Sequence, residues 1–257
     1  MSVINMAYHT PVLTQQVLGG LQVKPGGSYI DCTVGEGGHS IAILEAISPG
    51  GQLLGLDLDP LALETAEERL RSFRDVTTLT NENFSDLRIV ARDQGFYSVD
   101  GILFDVGLSS LQLDAESRGF SFRRPDPLDM RFSLDQRLTA ADIVNTYSQS
   151  ELADVIFQLG EERAARRIAS AIVHHRPIST SSELAGIVAG ASGRSRSKIH
   201  PATKTFQALR IALNDELGAL DDGLEAAIGS LRAGGRVVVA QGCGNTREVS
   251  LAILRQK

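Results

Sequence analysis

The chain has 257 residues, of which 42% are hydrophobic, and this length suits one large α/β domain or a domain with an insertion. Its formal net charge of −6 at pH 7 by itself argues against a nucleic-acid partner. Two cysteines, Cys32 and Cys243, exclude a disulfide framework and a cysteine-rich metal site. No apolar run reaches the roughly 18 residues of a membrane helix and no secretory signal is recognisable, so a cytoplasmic protein without a membrane partner is expected.

The first predicted elements converge on a glycine turn. Spaced leucine and valine residues after Thr10-Pro11 predict an amphipathic helix, and residues 28–34 predict a short buried strand. The strand breaks on Gly35-Glu36-Gly37-Gly38, and an apolar helix follows. α/β folds use such a turn to bring the backbone close to a nucleotide-like ligand, although βα turns without a ligand use glycine as well. Both interpretations stay open on this stretch alone.

Asp57 narrows the choice of ligand. It ends a second apolar strand over residues 52–57, where a carboxylate suits the two hydroxyls of a ribose. The dinucleotide pattern G-x-G-x-x-G fails because Ser40 takes the place of the third glycine, and the turn has no lysine for a Walker-type phosphate loop. A nucleoside without a pyrophosphate fits these features, and S-adenosylmethionine is the commonest ligand of that kind.

The next elements extend a parallel sheet. Asp59-Pro60 predicts a capped helix to about Arg74, and residues 76–80 predict a third strand. The loop after it holds Phe84, which suits either stacking on a ligand base or core packing. Residues 99–105 predict a fourth strand that ends at Asp105. The glycine turn, Asp57, Phe84 and Asp105 then share the carboxyl ends of the strands, where ligands of such sheets bind.

From residue 111 to residue 204 no strand is predicted. Residues 111–137 are loop-like and interleave arginines with Phe120 and Phe122, a pattern that suits either base and phosphate contact or a packed loop. Helices are predicted over residues 139–147, 150–158, 161–175 and 181–191. Residues 160–204 hold 8 basic and 3 acidic side chains, net +5, which indicates either a footprint for phosphates or a solvated helical face.

The sheet resumes after this insertion. Helical patterns cover residues 203–220 and 224–231, and strands are predicted over 234–240 and 249–254. The chain is therefore predicted to be an α/β protein with a Rossmann-like class I S-adenosylmethionine-dependent methyltransferase sheet. Residues 1–110 and 205–257 would form the methyltransferase domain, and residues 111–204 an all-helical, substrate-recognising insertion between strands four and five.

Asp105 is the predicted catalytic residue. Methyl transfer from a sulfonium is an in-line displacement that depends mainly on positioning two reactants and needs no metal. An exocyclic base amine is a poor nucleophile, so an acceptor against its N–H would favour the transition state. Asp105, at the end of the fourth strand, lies where that acceptor is needed.

Nine stretches of the chain resemble one known family, in that family's order. They are YHTPVL (8–13), DCTVGEGGHS (31–40), GLDLDP (55–60), NENFSDL (81–87), DGILFDVGLSSLQLD (100–114), RGFSF (118–122), PLDMRF (127–132), GEERAARRIASAIV (160–173) and HPATKTFQALRIALNDEL (200–217). The family is the RsmH (MraW) family of bacterial ribosomal RNA methyltransferases. The resemblance implies methyl transfer from S-adenosylmethionine to N4 of a cytosine in the decoding region of 16S rRNA, within the small ribosomal subunit. It also implies an RNA-facing insertion and cofactor contact by Gly37, Gly38, His39, Asp57, Phe84, Asp105 and Gln112.

Two departures from the family pattern leave alternatives open. Residues 240–247 stand where the family continues with a segment like SFHSLEDR, which is expected to remove a loop near the active site and the closing antiparallel hairpin. Asp126 stands where the family has glycine. One alternative is therefore a non-catalytic or weakly active member that binds S-adenosylmethionine and RNA. Another is a methyltransferase for a different substrate, although Val106-Gly107-Leu108 is unlike the Pro-Pro-aromatic run of DNA amine methylases. A homodimer is compatible with the sequence.

Overall fold

The structure is a computed structural model, and it describes residues 11, 13–193, 199–242 and 249–255. Cys243, one of the two cysteines, lies outside these residues. The chain divides into two compact units. The sheet unit comprises the residues up to Ser110 and those from Gly218 onward, and the helical unit comprises Leu111–Leu217. Within the described ranges, no helix is long and apolar enough to cross a membrane.

The helices and strands follow one another in a regular order. The first half of the sheet unit contains α1 (Thr14–Leu21), β1 (Ser28–Asp31), α2 (Gly38–Ile47), β2 (Gln52–Leu56), α3 (Pro60–Arg69), β3 (Thr77–Thr80), α4 (Leu87–Asp93) and β4 (Val99–Val106). Then come α5 (Ser110–Asp114), α6 (Ala140–Thr146), α7 (Gln149–Gly160), α8 (Ala165–His174), α9 (Ser181–Ser192) and α10 (Thr203–Asn214). The chain continues with α11 (Glu216–Ser230), β5 (Leu231–Gly242) and β6 (Val249–Arg255).

The described strands form one six-stranded sheet in the order β3-β2-β1-β4-β5-β6. The pairs among β1 to β5 are parallel, and β6 runs antiparallel to β5. This arrangement confirms the predicted Rossmann-like methyltransferase sheet with a helical segment between β4 and β5. The strand order reverses between β1 and β4, and ligands of such sheets bind beyond the carboxyl ends of the strands at that point.

Apolar side chains cover both faces of the sheet. Successive residues of a strand point to opposite faces, so Ile30 and Tyr29 of β1 belong to different core clusters. Ile30 packs in the cluster that contains α4 and α11, and Tyr29 packs in the cluster that contains α1 and α2. Burial on both faces explains why these strands read as nearly continuous apolar runs in the sequence.

The end of the described chain corrects one expectation. The strand predicted at residues 249–254 is confirmed as β6, but the expected loss of the closing hairpin is wrong for the pair formed by β5 and β6. The ladder runs from Arg236 opposite Arg255 to Gly242 opposite Val249. The physical reason is that residues 249–255 pair their backbone groups with the edge of β5, which a parallel sheet would otherwise leave open.

Two predicted helices have different bounds because of left-handed residues. The helix predicted over 161–175 begins only at Ala165, since Glu161 has φ 49° and ends α7 instead. The helical pattern over 203–220 is interrupted at Asp215, where φ is 47°, and α11 then runs without a break from Glu216 to Ser230. Hydrophobic periodicity carries no signal for an isolated left-handed residue. The prediction therefore started one helix too early and joined parts of two others.

The arginine-rich loop of the helical unit is packed. Phe120 is buried and stacks on Phe132 with ring centroids 5.6 Å apart, and Phe122 stacks on His200 at 4.5 Å. Arg118 donates to the carbonyl oxygen of Arg131 at 2.8 Å. Of the two interpretations of this loop, its described contacts support packing.

Asp126 fits into the same unit without strain. Its carboxylate is largely buried and accepts a hydrogen bond from Arg124 at 3.3 Å. Arg124 also donates to the carbonyl oxygens of Asp114 and Ala115, and the Asp126 carbonyl accepts from the N–H of Ser181 at 2.8 Å. Asp126, which stands where the family has glycine, is therefore a hydrogen-bonded structural residue.

Candidate active site

The glycine turn after β1 carries the start of α2. Gly37 has φ 76° and directly precedes the first residue of the helix. A Cβ atom at Gly37 would lie 3.3 Å from Leu70 Cγ, and one at Gly38 would lie 3.1 Å from Pro11 Cδ. A side chain at either position would press against its neighbour, and the positive φ of Gly37 favours glycine there. The first N–H groups of a helix lack intrahelical acceptors and suit an anionic ligand group.

Asp57 ties the end of β2 to this turn. Its Oδ2 accepts from the N–H of Gly35 at 2.8 Å, and its Oδ1 accepts from the N–H of Asp59 at 2.9 Å. Burial raises the pKa of Asp57 to about 6, although these two N–H groups act in the opposite direction. Each carboxylate oxygen has a second lone pair, so the side chain can still accept from ribose hydroxyls.

Asp31 is a structural carboxylate that sequence reasoning missed. It is fully buried at the end of β1 and accepts from Ser40 Oγ at 2.7 Å and from the N–H of Thr33 at 3.1 Å. Burial raises the pKa of Asp31, and the Ser40 hydroxyl opposes that change. Ser40, which breaks the dinucleotide pattern, therefore anchors the first turn of α2 to β1. The available signal was an aspartate closing an apolar strand.

His39 and Asp105 face each other across the ends of β1 and β4. The His39 side chain is 7% exposed, and its Nε2 lies 3.4 Å from Oδ2 of Asp105, whose side chain is 34% exposed. This is an ion-pair distance, but neither ring nitrogen makes a hydrogen bond of good geometry to any residue in the described ranges. The N–H of Asp105 donates to Thr33 Oγ1 at 2.6 Å, which fixes the backbone of the carboxylate.

Phe84 lies in the loop after β3 and packs against the core. Its ring meets Phe104 edge-on, with centroids 5.6 Å apart, and a Cβ at Gly223 would lie 3.0 Å from its Cδ2. Asn83 Oδ1 accepts from the N–H of Ser85 at 3.0 Å and orders the loop. The core interpretation of Phe84 is thus correct, and the residue as a whole is only partly buried.

The predicted site residues divide between the two units. Gly37, Gly38, His39, Asp57 and Asp105 lie at the carboxyl ends of β1, β2 and β4, linked by the contacts described above, and Phe84 lies after β3. Gln112 belongs to α5 in the helical unit, where its side chain is buried. His39 and Gln112 have no spacing signal of their own. Among the residues that the structure describes, no cluster of three or more histidine, cysteine or carboxylate side chains could hold a metal ion.

Comparison with known proteins identifies the family. The model of the MraW methylase family matches residues 6–243. A protein of Dehalococcoides mccartyi named ribosomal RNA small subunit methyltransferase H is 53% identical over 231 residues, which are 90% of this chain and 66% of that protein. Proteins of the same name from Geobacter sulfurreducens and Symbiobacterium thermophilum are 52% and 50% identical, over 90% of this chain and 76% and 74% of their own lengths. The chain thus spans 66% to 76% of the length of these relatives. It belongs to the MraW methylase family.

Proposed function

We propose that this chain transfers a methyl group from S-adenosylmethionine to N4 of a cytosine in the decoding region of 16S rRNA, within the small ribosomal subunit in the cytoplasm. The observation that carries the proposal is the partly exposed carboxylate of Asp105 at the point where the strand order reverses. It lies at the same edge of the sheet as the glycine turn and as Asp57, whose carboxylate can accept hydrogen bonds from ribose hydroxyls. The name of the family relatives supports small-subunit rRNA as the substrate class.

The residues of the sheet unit fit the proposed cofactor. The space beside Gly37 and Gly38 is tight, and Asp57 has acceptor capacity left for hydroxyls. Buried His39 has two ring nitrogens that make no hydrogen bond to the residues that the structure describes. The cofactor, when bound, supplies an electrophilic methyl group on a sulfonium. We assign its contacts to Gly37, Gly38, His39, Asp57, Phe84, Asp105 and Gln112.

Asp105 would act on the acceptor amine. Its carboxylate accepts the N–H of the exocyclic amine, which favours the developing positive charge on that nitrogen during the displacement. The proton released from the amine passes to the carboxylate and then to solvent, to which the side chain is partly open. The hydroxyl of Thr33 holds the backbone of Asp105 during this step.

Methyl incorporation into small ribosomal subunits tests the proposal. Subunits from cells that lack the endogenous activity are incubated with labelled S-adenosylmethionine, beside free RNA and DNA, and the nucleosides are analysed. We expect labelled N4-methylcytidine from the subunits. Cofactor binding without incorporation would instead support the non-catalytic member, and sizing of the same sample separates monomer from homodimer.

The titration of Asp57 gives a prediction for the cofactor site. Because the ionised carboxylate accepts hydroxyls best and its pKa is raised to about 6, affinity for S-adenosylhomocysteine should fall as pH drops below that value and stay level above it. The fall should be about fivefold between pH 6 and about pH 5, and it approaches about tenfold per pH unit only at lower pH. Calorimetry from about pH 5 to about pH 7.5 checks this. Asp57→Asn should bind weakly without this dependence, whereas Glu82→Gln in an exposed neighbouring loop should keep it.

The exposed face of α8 is the part of the helical unit that we assign to RNA phosphates. Arg166, Arg167 and His174 are exposed, whereas Ile168 and Ile172 on the other side are fully buried. Arg163 and Lys204 add two more exposed cations in the same unit. Positive side chains on one helical face suit the sequence-independent attraction to a phosphate backbone.

Neutralising this face should weaken RNA binding in a salt-dependent way. The triple change Arg163→Gln, Arg166→Gln and Arg167→Gln removes three exposed charges and should lower affinity for small subunits or their RNA. The slope of log affinity against log salt should become shallower by about 2 to 3 if each arginine meets one phosphate. Filter binding at several salt concentrations measures both quantities.

The control for this test is a triple change on the sheet unit. Arg71, Arg74 and Arg92 are also exposed, and replacing them with glutamine removes the same net charge. An equal loss of affinity in both triples would contradict an assignment to α8 and indicate a general charge effect.

A further inference from the structure

His39 is buried, and within the described part of the chain it has no hydrogen-bond partner, which is unusual for a polar side chain. Only 7% of its side chain is exposed, and neither Nδ1 nor Nε2 makes a hydrogen bond to a residue that the structure describes. Buried polar groups in folded proteins are almost always satisfied, so an exception indicates a contact that is completed in a functional state. The position of this ring beside Asp105 therefore calls for an explanation beyond packing.

Among the carboxylates that the structure describes at this end of the sheet, Asp105 is the partner within reach of the ring. Asp31, the other carboxylate at this end of β1, already accepts from Ser40 Oγ and from the N–H of Thr33. The Ser40 bond fixes the first turn of α2, and with it the backbone of His39. Asp105 Oδ2 lies 3.4 Å from His39 Nε2, a distance from which a hydrogen bond forms with a small side-chain movement.

The Asp105 side chain needs such a partner. Its backbone is held by Thr33 Oγ1, but about a third of its side chain is exposed, and an exposed carboxylate can rotate away from a bound amine. A donor on one oxygen would hold the carboxylate in one orientation and leave its other oxygen open. Ligating or reacting groups commonly depend on a partner of this kind for their orientation.

We propose that His39 is a positioning residue that acts through Asp105, with its Nε2–H holding Oδ2 so that the remainder of the carboxylate meets the acceptor amine. This inference rests on the proposed function. It gives His39 a part in the rate of methyl transfer in addition to any contact with the cofactor.

The kinetic test compares His39→Leu with His39→Gln. Leucine removes the donor and should lower kcat at saturating S-adenosylmethionine by roughly 10- to 100-fold, the range found for residues that orient a reacting group. Glutamine places an N–H near the position of Nε2 and should restore most of that rate. In an Asp105→Asn background the His39→Leu change should have little further effect, because the proton acceptor that His39 is proposed to orient is already absent.

Two outcomes would overturn the proposal. One is a His39→Leu protein that loses cofactor affinity, measured by calorimetry, but keeps kcat at saturation, which would make His39 a cofactor contact only. The other is an effect of the same size in the Asp105→Asn background. The leucine variant could lose its fold. Each rate is therefore measured for the glutamine variant as well, and the cofactor affinity of both variants is determined beside it.

A second readout does not depend on activity. Nitrogen NMR of histidine-labelled protein reports which ring nitrogen carries the proton, and the signal of His39 among the 5 histidines is assigned by its loss in His39→Gln. We expect the Nε2–H form and a changed shift in Asp105→Asn. If wild-type protein methylates nothing, the proposed function fails while this measurement still tests the contact, and a His39 signal that does not respond to Asp105→Asn overturns it.

Discussion

We expect Asp105→Asn to lower methyl transfer by about 10²- to 10⁴-fold under single-turnover conditions, because under the proposed function a neutral amide cannot take the proton of the acceptor amine. Asparagine keeps the size of the side chain, and the backbone bond from residue 105 to Thr33 Oγ1 is unaffected. The loss should therefore appear in the rate at saturating cofactor rather than in the free energy of unfolding. Rapid-quench measurement of label transferred to small subunits gives the rate.

The matched control for this change is Asp75→Asn. Asp75 is an exposed aspartate of the same unit, with its side chain beside Arg74. It should methylate at the wild-type rate. Calorimetry with S-adenosylhomocysteine separates a loss of cofactor affinity in the Asp105 variant from a loss of the chemical step. A near wild-type rate for Asp105→Asn would exclude Asp105 as the proton acceptor.

Local patterns were sufficient for the sheet and for several groups at its edge. Strands buried on both faces give continuous apolar runs, and glycine turns or aspartates mark the point where each run ends. The sequence alone therefore predicts that Asp57 and Asp105 lie at the same edge of the sheet as the glycine turn, and the ends of β2 and β4 confirm these positions. The positions follow from geometry, whereas the roles of these residues remain proposals.

Other features depend on contacts between distant residues, which no spacing pattern contains. Asn214 donates to the carbonyl oxygen of Met130 and accepts from the N–H of Phe132, more than 80 positions away in the chain. The pairing of Asp31 with Ser40 is closer in sequence but needs the fold to bury it. The left-handed residues that end α7 and α10 are equally invisible to periodicity, because glutamate and aspartate carry no signal for that conformation.

Glu216→Ala should destabilise the helical unit by about 3 to 5 kcal/mol, because it leaves a buried guanidinium without its partner. Arg210 meets Glu216 with two hydrogen bonds, at 2.6 Å and 2.9 Å, and the two side chains are only 13% and 8% exposed. Burial raises the pKa of Glu216, and Arg210 acts against that change. The attraction between the two charges offsets the free energy of removing them from water only while both side chains are present. The change in unfolding free energy is measured by urea titration with hydrogen exchange of α10.

Removing both charges separates the pair from the packing around it. The double change Arg210→Met and Glu216→Leu keeps the volume without a buried charge and should cost much less than Glu216→Ala, since well-packed apolar residues often replace buried ion pairs without loss. Asp93→Ala, which breaks the exposed pair with Arg92, should cost no more than about 1 kcal/mol.

The effect of Glu216→Ala should also reach the segment from Met130 to Phe132. Asn214 lies between Arg210 and Glu216 in the chain and holds that segment by hydrogen bonds, so its amide exchange should become faster in the variant. If Glu216→Ala and the double change lower the unfolding free energy equally, this part of α10 stabilises the unit through side-chain packing and not through the ion pair.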